Sequence, residues 1–380
     1  MRIVVNATSA ALGGGITVLR QLLPAFAAVD GGRHEYLVVA REGVAASLDP
    51  SHPRVRLVAS RFGGRSLATR LVWEQLALPI RTALGRADVL FSPSNLAVAG
   101  APCPQVLMFQ NLVPFSPEVI RRRRDLGKVR FPILRALGVG SARLVRALVF
   151  ISRAQRDVIL PQLGVPSERA ALVYLGRDLA FSPAAREAAP ALRARLGLPP
   201  RYLLSVSHVY HYKNFVELVR GFARARLPED VALAIAGSEH ERTYAGEVRR
   251  AVREERLEGR VRLLGPVPYA ELPALYAGSS QFLFPSTCES FPNILVEGLA
   301  SGAPTLASNL GPMPELAGEG ARYFDPFSPD EIGRRIRELF DDESAGRALS
   351  EAGVRQAARY SWDRTARELL GVLEGAAQTP

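Results

Sequence analysis

Short apolar strands alternate with helical segments along the whole chain, and this alternation constrains the fold more than any other feature. The strand candidates of the first half include MRIVVNATSA, EYLVVA, VRLVAS, DVLFSPS, PQVLMFQN, ALVFIS and AALVYLG, and those of the second half include YLLSVS, ALAIAGS, VRLLGPV, QFLFPS, PTLASN and ARYFDP. Segments between them, such as ITVLRQLLPAF and NFVELVRGFARA, carry apolar residues at helical spacing. The sequence therefore predicts an α/β protein built from doubly wound parallel sheets.

An Ala- and Pro-rich stretch, FSPAAREAAPALRARLGLPP, interrupts this alternation at residues 181–200. A chain of 380 residues is long enough for two domains of ordinary size. We therefore expect a first domain at 1–180, a linker at 181–200, a second domain at 201–360 and a final helix in 361–380. Ligands of such sheets bind beyond the carboxyl ends of the strands, which predicts a site in the cleft where two such sheets face each other.

Charge and cysteine content limit the class of protein. The net charge is +11, and residues 1–198 hold 27 basic and 12 acidic residues, so the excess positive charge lies in the first half. This asymmetry favours an anionic partner for that half. Cys103 and Cys288 form no metal-binding or disulfide framework. With no signal-peptide pattern and no convincing transmembrane run, these features predict a cytoplasmic protein.

The most basic segment is RRRRDLGKVRFPILRALGVGSARLVRAL, at 121–148. Apolar residues lie between its basic ones, a composition that suits an anionic bilayer surface. The candidate residues for contact with a membrane or a lipid-linked acceptor are Arg121, Arg122, Arg123, Arg124, Lys128 and Arg130. A solvated helical face is the alternative. Binding to nucleic acid is disfavoured, because the segment has no aromatic stacking platform.

The stretch CESFPNILVEGLASGAP follows the strand candidate QFLFPS. Pro292 is predicted in the first turn of a helix and Gly302 at its end. The amino end of such a helix, with its free N–H groups, suits a diphosphate. Glu289 precedes this helix, and Glu297 within it could accept hydrogen bonds from sugar hydroxyls. Two glutamates at this spacing are weak evidence alone, since acidic residues are common near helix starts.

Lysine occurs only at Lys128 and Lys213, whereas the other 46 basic residues are arginines. A lysine retained in such a chain indicates a position that needs a compact charge, although a solvated surface lysine is the alternative. No Asp-x-Asp pair occurs, and we expect no metal. Lys213 and a helix dipole could stabilise a leaving diphosphate instead.

Several stretches, taken together, resemble retaining glycosyltransferases of the GT-B fold, specifically glycosyltransferase family 4. PSTCESFPNILVEGLASGAPTLASNLGPMPELAGEGARYFDP is similar to the donor-site signature of that family, and HYKNFVELVRGFA to its Lys-Asn segment. GGGITVLRQLLPAF resembles its Gly-rich loop, and YSWDRTARELLGVLE its closing helix, which packs back toward the first domain. The resemblance implies two Rossmann-like domains that face a cleft.

The resemblance also implies roles for individual residues. Lys213 would bind the donor diphosphate, Glu289 would hold hydroxyls of the donor sugar, and Glu297 would hold the ribose hydroxyls. Glu289, Lys213 and Asn111 are the implied catalytic residues. The remaining residues implied to bind the donor are Gly14, Gly15, Ser207, His208, Asn214, Val267, Phe291, Pro292, Asn293 and Ile294.

Two departures from the family pattern affect these roles. Ser207-His208 stands where the family usually has Gly-Arg, so a second cation for the diphosphate is missing unless His211 or Arg177 compensates. Gln110-Asn111 replaces a His-Asp pair. These two amides either contact the transferred sugar or cap a loop.

The predicted function is transfer of a sugar from a nucleoside diphosphate sugar to a lipid-linked or polysaccharide acceptor in cell-envelope glycan assembly, with retention and without a cofactor or metal. A nucleotide-sugar epimerase of the same fold is one alternative. The other is a membrane-associated binding protein with a decayed donor site. A dehydrogenase is disfavoured because no G-x-G-x-x-G follows a strand with an acidic residue some 20 positions on.

Overall fold

The computed structural model describes residues 1–10, 14–46, 48, 53–60, 67–122 and 127–378. The described chain forms two compact units. Unit 1 contains Met1–Gly176 together with Tyr360–Pro380, and unit 2 contains Arg177–Arg359. The predicted α/β class with parallel sheets is confirmed in both units.

Unit 1 is built on a seven-stranded parallel sheet with the strand order β3-β2-β1-β4-β5-β6-β7. Its elements are β1 Arg2–Ala7, α1 Gly14–Val29, β2 Glu35–Arg41, α2 Glu42–Ala45, β3 Val55–Ser60, α3 Leu67–Leu84, β4 Val89–Ser92, β5 Gln105–Phe109, α4 Pro117–Arg122, α5 Gly127–Leu144, β6 Ala147–Phe150, α6 Arg153–Leu163, β7 Ala170–Leu172 and, from the end of the chain, α15 Trp362–Gln378.

The strand order places the helices of unit 1 on two faces. Connections between parallel strands are right-handed, so helices whose connections step across the sheet in opposite directions lie on opposite faces. The β1–β2 connection through α1 steps toward β3, whereas the connections through α3, α5 and α6 step toward β7. Helix α15 packs against α1, β4 and β5. One face of the sheet therefore carries α1 and α15, and the other carries α3, α5 and α6.

Unit 2 has a six-stranded parallel sheet with the order β10-β9-β8-β11-β12-β13. Its elements are α7 Ala189–Arg195, β8 Arg201–Val206, α8 Phe215–Arg224, β9 Val231–Ala236, α9 Arg242–Glu254, β10 Val261–Gly265, α10 Leu272–Ala277, β11 Gln281–Phe284, α11 Asn293–Ala300, β12 Thr305–Ser308, α12 Met313–Ala317, β13 Ala321–Phe324, α13 Pro329–Asp341 and α14 Glu343–Ala357. The strand order reverses between β8 and β11, which is where ligands bind in open sheets of this kind.

The stretch predicted to be a linker, 181–200, is folded into unit 2. It forms a 3-10 turn at Pro183–Ala188 followed by α7, and both pack on α10. Phe181 is fully buried, with its ring edge-on to Tyr276 at 5.7 Å between centroids. Burial of this phenylalanine attaches the start of the stretch to unit 2.

Helix α14 is only weakly indicated by the sequence. Its sequence, ESAGRALSEAGVRQA, has few large apolar residues, so its helical periodicity is weak. The structure explains its small residues, because a side chain at Gly320 would come within 2.8 Å of the backbone at Gly353. The helix is held by this close backbone approach, which only small residues allow.

Gly298 allows α11 to pack closely against β11. A Cβ atom at this position would lie 2.3 Å from the ring of the fully buried Phe282. We expect Gly298→Ala to lower the free energy of unfolding by about 1–3 kcal/mol through overpacking. Urea unfolding monitored by circular dichroism measures this change.

Gly246→Ala is the matched control for that measurement. Gly246 lies within α9, and no atom would contact its added Cβ within 4 Å. This substitution should raise the stability by about 0.5–1 kcal/mol, because alanine loses less backbone entropy in a helix. Equal effects of the two substitutions would show that α11 does not depend on the close contact with Phe282.

Candidate functional site

Two loops meet at the switch point of unit 2. Residues 207–214 follow β8, and residues 285–292 follow β11. The two strands are hydrogen-bonded neighbours, with Leu203 opposite Gln281. A hydrogen bond from the Thr287 N–H to the Tyr212 carbonyl, 2.8 Å long, joins the loops directly. The sheet thus brings together the two segments that the resemblance assigned to the donor.

Lys213 and Glu289 form an ion pair between these loops. The Lys213 Nζ donates to Glu289 Oε1 over 2.5 Å, and only 9% and 13% of the two side chains are exposed. The ammonium also lies 5.1 Å from the ring centroid of Tyr212 and 5.8 Å from that of Phe284. A largely buried charge is costly without a partner, so each side chain holds the other in place. The ammonium is therefore fixed at the mouth of the site.

Asn214 turns the chain from this pair into α8. Its φ of 60° lies in the left-handed region, which asparagine tolerates better than most residues. Its side-chain Nδ2 donates to the Pro326 carbonyl over 2.6 Å. Asn214 thus fixes the position of Lys213 through the backbone.

Helix α11 begins at Asn293. Pro292 therefore immediately precedes the first turn, whereas the sequence predicted it within that turn. In the first turn of α11, the Asn293 N–H donates to the Phe291 carbonyl, and the Leu295 and Val296 N–H groups donate to the Pro292 carbonyl. Phe291 is buried, and the Asn293 Oδ1 is buried without a hydrogen bond from any described residue. Ile294, half-buried, completes the first turn. The positive end of the α11 dipole lies where the loop that carries Glu289 ends, and this favours an anion there.

The carboxyl end of α11 matches the prediction for Gly302. Its φ is +71°, its N–H donates to the Leu299 carbonyl over 3.1 Å, and the Ala303 N–H donates to the Gly298 carbonyl over 3.3 Å. These two bonds form a Schellman motif, which needs a residue that accepts positive φ. The motif ends α11 after eight residues.

Glu297 is buried in α11 beside a tyrosine and an aspartate. The Tyr269 hydroxyl lies 3.4 Å from Glu297 Oε1 and 3.2 Å from Asp178 Oδ2. Burial raises the pKa of Glu297 to about 7, the hydrogen bond from Tyr269 opposes this change, and the charge of Asp178 adds to it. Burial and the two carboxylates also raise the pKa of Tyr269, so its hydroxyl stays a donor at neutral pH. Sequence reasoning missed Tyr269 and Asp178, because each is distant from Glu297 in the chain.

Ser207 and His208 begin the loop after β8. Ser207 is buried, and its N–H donates to the Ala236 carbonyl over 2.9 Å. The His208 ring lies edge-on to His240 with 4.5 Å between centroids. Burial, and then the positive charges of His240 and Lys213, lower the pKa of His208. His208 is therefore neutral near pH 7, so it does not supply the charge of the arginine that it replaces.

An aromatic row lies on the same loop and was also missed. Tyr210 stacks on Tyr212 and on His240, with 5.6 Å between centroids in both cases and interplanar angles of 9° and 13°. His211, proposed as a compensating cation, lies edge-on to Tyr244, and its N–H donates to Glu241 Oε2 over 2.9 Å. These rings fix the shape of the loop that carries Lys213.

The remaining predicted positions lie on other elements. Val267 is half-buried and follows Gly265, whose φ of +69° turns the chain at the end of β10. Arg121 and Arg122 are exposed at the end of α4, and Lys128 and Arg130 are exposed at the start of α5. Arg123 and Arg124 lie outside the described residues.

In unit 1, the predicted glycines and amides meet beyond the carboxyl ends of the strands. Gly14 begins α1, and a Cβ at Gly15 would lie 3.7 Å from Gln110 Oε1. The Asn111 Oδ1 accepts the Val113 N–H over 3.0 Å, and Asn95 Oδ1 accepts the Asn111 N–H over 3.1 Å. The Asn111 oxygen therefore caps a turn, one of the two roles that the sequence left open.

A buried glutamate near the same edge was missed. Glu74 on α3 accepts a hydrogen bond from the Thr8 hydroxyl and lies 3.3 Å from the Arg70 Nε. The Arg41 Nε donates to the Thr8 carbonyl over 3.0 Å. Burial raises the pKa of Glu74, and the charge of Arg70 opposes this effect. An acidic residue inside the apolar run LVWEQLAL was the only available signal for this network.

Comparison with known proteins extends these observations. Residues 189–356, which lie within unit 2 and make up less than half of the chain, match the family described as Glycosyl transferases group 1. Mannosylfructose-phosphate synthase of Agrobacterium fabrum is 27% identical over 60% of this chain and 52% of its own length. O-antigen chain mannosyltransferase B of Escherichia coli is 35% identical over 28% of each chain. The chain thus spans about half or less of the curated relatives it matches.

Solved structures show that the fold extends over both units. The crystal structure of Anabaena Alr3699/HepE in complex with UDP and glucose matches 99% of this chain and 100% of its own, with a TM-score of 0.79 and 21% identity. The GT-B fold predicted from the sequence is therefore confirmed.

The raised pKa of Glu297 makes stability depend on pH. Between the ordinary value of 4.5 and about 7, the folded state holds a proton that the unfolded state has released. The free energy of unfolding therefore falls as the pH rises through this range. Relative to Glu297→Gln, which cannot ionise, the wild type should lose about 2–3 kcal/mol between pH 5 and pH 8.

Urea unfolding of both proteins at the two pH values tests this expectation. Glu258→Gln, which alters an exposed glutamate of unit 2, is the control and should leave the pH dependence of the wild type nearly unchanged. A difference between wild type and Glu297→Gln that is the same at pH 5 and pH 8 would contradict a buried, proton-binding Glu297.

Proposed function

We propose that this protein is a retaining glycosyltransferase of family 4 that moves a hexose from a nucleoside diphosphate sugar to a glycan acceptor. The observation that carries this proposal is the Lys213–Glu289 pair, held against the amino end of α11 at the switch point of unit 2. The match of residues 189–356 to Glycosyl transferases group 1 supports it. So do the two relatives, whose names describe a mannosyltransferase and a synthase of a mannosyl sugar phosphate.

The donor diphosphate would lie between Lys213 and the first turn of α11. As the sugar–phosphate bond breaks, negative charge grows on the departing diphosphate oxygen. An ammonium and N–H groups already in place stabilise this charge without reorganising at the moment of reaction. We propose that these groups suffice without a metal ion. Neutral His208 would donate a hydrogen bond but no charge, so the electrostatic stabilisation would rest mainly on Lys213.

The two glutamates would hold the two sugars of the donor. Glu289, fixed by Lys213, would accept hydrogen bonds from hydroxyls of the transferred sugar. Glu297 would accept hydrogen bonds from the ribose hydroxyls. Hydroxyl donors favour the ionised carboxylate, so bound nucleotide would lower the pKa of Glu297. Val267, after the turn at Gly265, would lie beside the nucleobase.

The transfer itself would retain the configuration of the sugar. The acceptor oxygen would form its bond to the anomeric carbon on the face that the diphosphate leaves, and the sugar–phosphate bond would break. The acceptor proton would pass to the departing phosphate oxygen. The resemblance to family 4 further implies that Gly14 and Gly15 bind the donor and that Asn111 takes part in catalysis.

The acceptor is proposed to be a lipid-linked or polysaccharide chain of the cell envelope. The relative named O-antigen chain mannosyltransferase B supports this class of acceptor. The concentration of basic residues in the first half of the chain also suits an acceptor that carries phosphate.

The role of Lys213 can be tested by donor binding. We expect UDP-, GDP-, dTDP- or ADP-sugars of one class to raise the melting temperature, with a chelator present. Lys213→Ala should weaken this binding by roughly 10- to 150-fold, the value of a charge-assisted hydrogen bond. Lys128→Ala, which removes the other lysine of the chain, is the matched control and should bind like the wild type.

The outcomes of this experiment separate the alternatives. Binding that requires a divalent ion would contradict the metal-free site. Lack of binding by any donor would contradict the enzyme proposal and favour a binding protein with a decayed site.

The stereochemistry needs a separate measurement. With the donor identified, proton NMR of the product formed on an added acceptor glycan should show the same anomeric configuration as the donor. An inverted product would contradict the retaining mechanism. Conversion of the nucleotide sugar without consumption of acceptor would instead indicate an epimerase.

A further inference from the structure

Two helices of unit 1 expose rows of large apolar side chains. Among the described residues, eight of the thirteen large apolar residues that are exposed lie on α3 and α5, each between 42% and 80% exposed. The row on α3 is Val72, Leu76, Ile80 and Leu84, and the row on α5 is Val129, Ile133, Leu137 and Leu144. Residues four or seven apart lie on one side of a helix, so the members of each row share one side of their helix.

The two rows lie on the same face of unit 1. Both helices belong to connections that step toward β7, which places them on the side of the sheet opposite α1 and α15. They also meet the same loop, since the Gln75 Nε2 of α3 donates to the Ala97 carbonyl, and a Cβ at Gly138 of α5 would lie 3.4 Å from the Asn95 carbonyl. Burial lowers the pKa of Arg70 on α3, and the charge of Arg130 on α5 adds to this effect, so the two guanidinium groups are near enough to interact.

Basic side chains accompany the apolar rows. Helix α5 contains no acidic residue, and its basic residues Lys128, Arg130, Arg135 and Arg143 are exposed. The single acidic residue of α3 is Glu74, which is buried against Thr8 and Arg70. The exposed side of both helices is therefore apolar and cationic together.

We propose that this face, formed by α3 and α5, docks on the surface of an anionic lipid bilayer. The apolar rows would insert into the acyl region, and the basic residues would bind the lipid phosphates. Amphipathic helices that lie in the plane of a membrane interface bind in this way. No helix of the described ranges has the length and hydropathy needed to span a membrane. The geometry points to contact along the two helix sides, over roughly 18 Å on α3 and roughly 22 Å on α5.

A second copy of the chain fits this face less well than a bilayer. A two-fold interface would place the basic residues of α5 near those of its partner, with no exposed carboxylate on either helix to neutralise them. The rows also contain no Trp or Tyr, the residues that usually anchor protein interfaces. Leu, Ile and Val beside Lys and Arg suit lipid, because long basic side chains keep their charges at the headgroups.

Vesicle sedimentation with the full chain tests the proposal. The protein should partition onto vesicles of phosphatidylglycerol and phosphatidylcholine, weakly onto phosphatidylcholine alone, and less strongly as salt is added. Leu76→Glu combined with Ile133→Glu should lower partition onto anionic vesicles by about tenfold or more. Both positions are exposed, so the variant should keep the wild-type circular dichroism and thermal unfolding.

Two further variants make the result specific. Leu263→Glu introduces the same kind of change at an exposed site on β10 in unit 2 and should bind vesicles like the wild type. Arg130→Gln with Arg143→Gln keeps the apolar rows and should weaken binding to anionic vesicles while leaving the weak binding to neutral vesicles unchanged.

The proposal would be overturned if the wild type did not bind anionic vesicles, or if Leu76→Glu/Ile133→Glu bound them like the wild type. A dimer in solution that this variant dissociates, without vesicle binding by the wild type, would assign the face to a second copy. Donor is absent from these measurements, so their outcome is independent of whether the protein transfers a sugar.

Discussion

The pairing of β8 with β11 is the constraint on which the candidate site depends. These strands are separated by more than 70 residues, yet they lie side by side where the strand order reverses. The ends of neighbouring parallel strands open a crevice, because the following helices leave on opposite faces. Lys213 and Glu289 come from the two loops at this point, and their ion pair joins the loops across the crevice. Gly298 against Phe282 then sets the position of α11.

Burial decides the charge states in this part of unit 2. The largely buried ammonium of Lys213 is stabilised by its ion pair with Glu289 and by the nearby ring of Tyr212. His208 lies close to the same ammonium and to His240, so its neutral form is favoured. Burial raises the pKa of Glu297 to about 7, and the charge of Asp178 adds to this effect. An arriving diphosphate would thus meet one fixed positive charge and the N–H groups of α11 rather than a cluster of cations.

The two units differ in the character of their surfaces. The exposed rows of α3 and α5 concentrate apolar surface on one side of unit 1, whereas the large exposed apolar residues of unit 2 are isolated ones such as Leu263 and Phe327. Scattered apolar residues are normal on a protein surface, but ordered rows on neighbouring helices indicate a binding face. The basic residues of α5 give this face an electrostatic preference as well. These properties belong to unit 1 alone and do not depend on the chemistry at the switch point of unit 2.

The sequence by itself determined the fold class, because short apolar runs typical of buried strands alternate with segments whose apolar residues recur at helical spacing. It also indicated the end of α11 at Gly302 through residue type and local spacing, whereas Lys213, Glu289 and Glu297 were indicated mainly by the resemblance to family 4. Contacts between distant segments were decided only by the tertiary structure: Tyr269 and Asp178 beside Glu297, Glu74 beneath Thr8, and the attachment of 181–200 to unit 2. The sequence also did not reveal the exposed apolar row on α3. Apolar residues lie on every side of α3, and only the packing of the layers shows which side is left exposed.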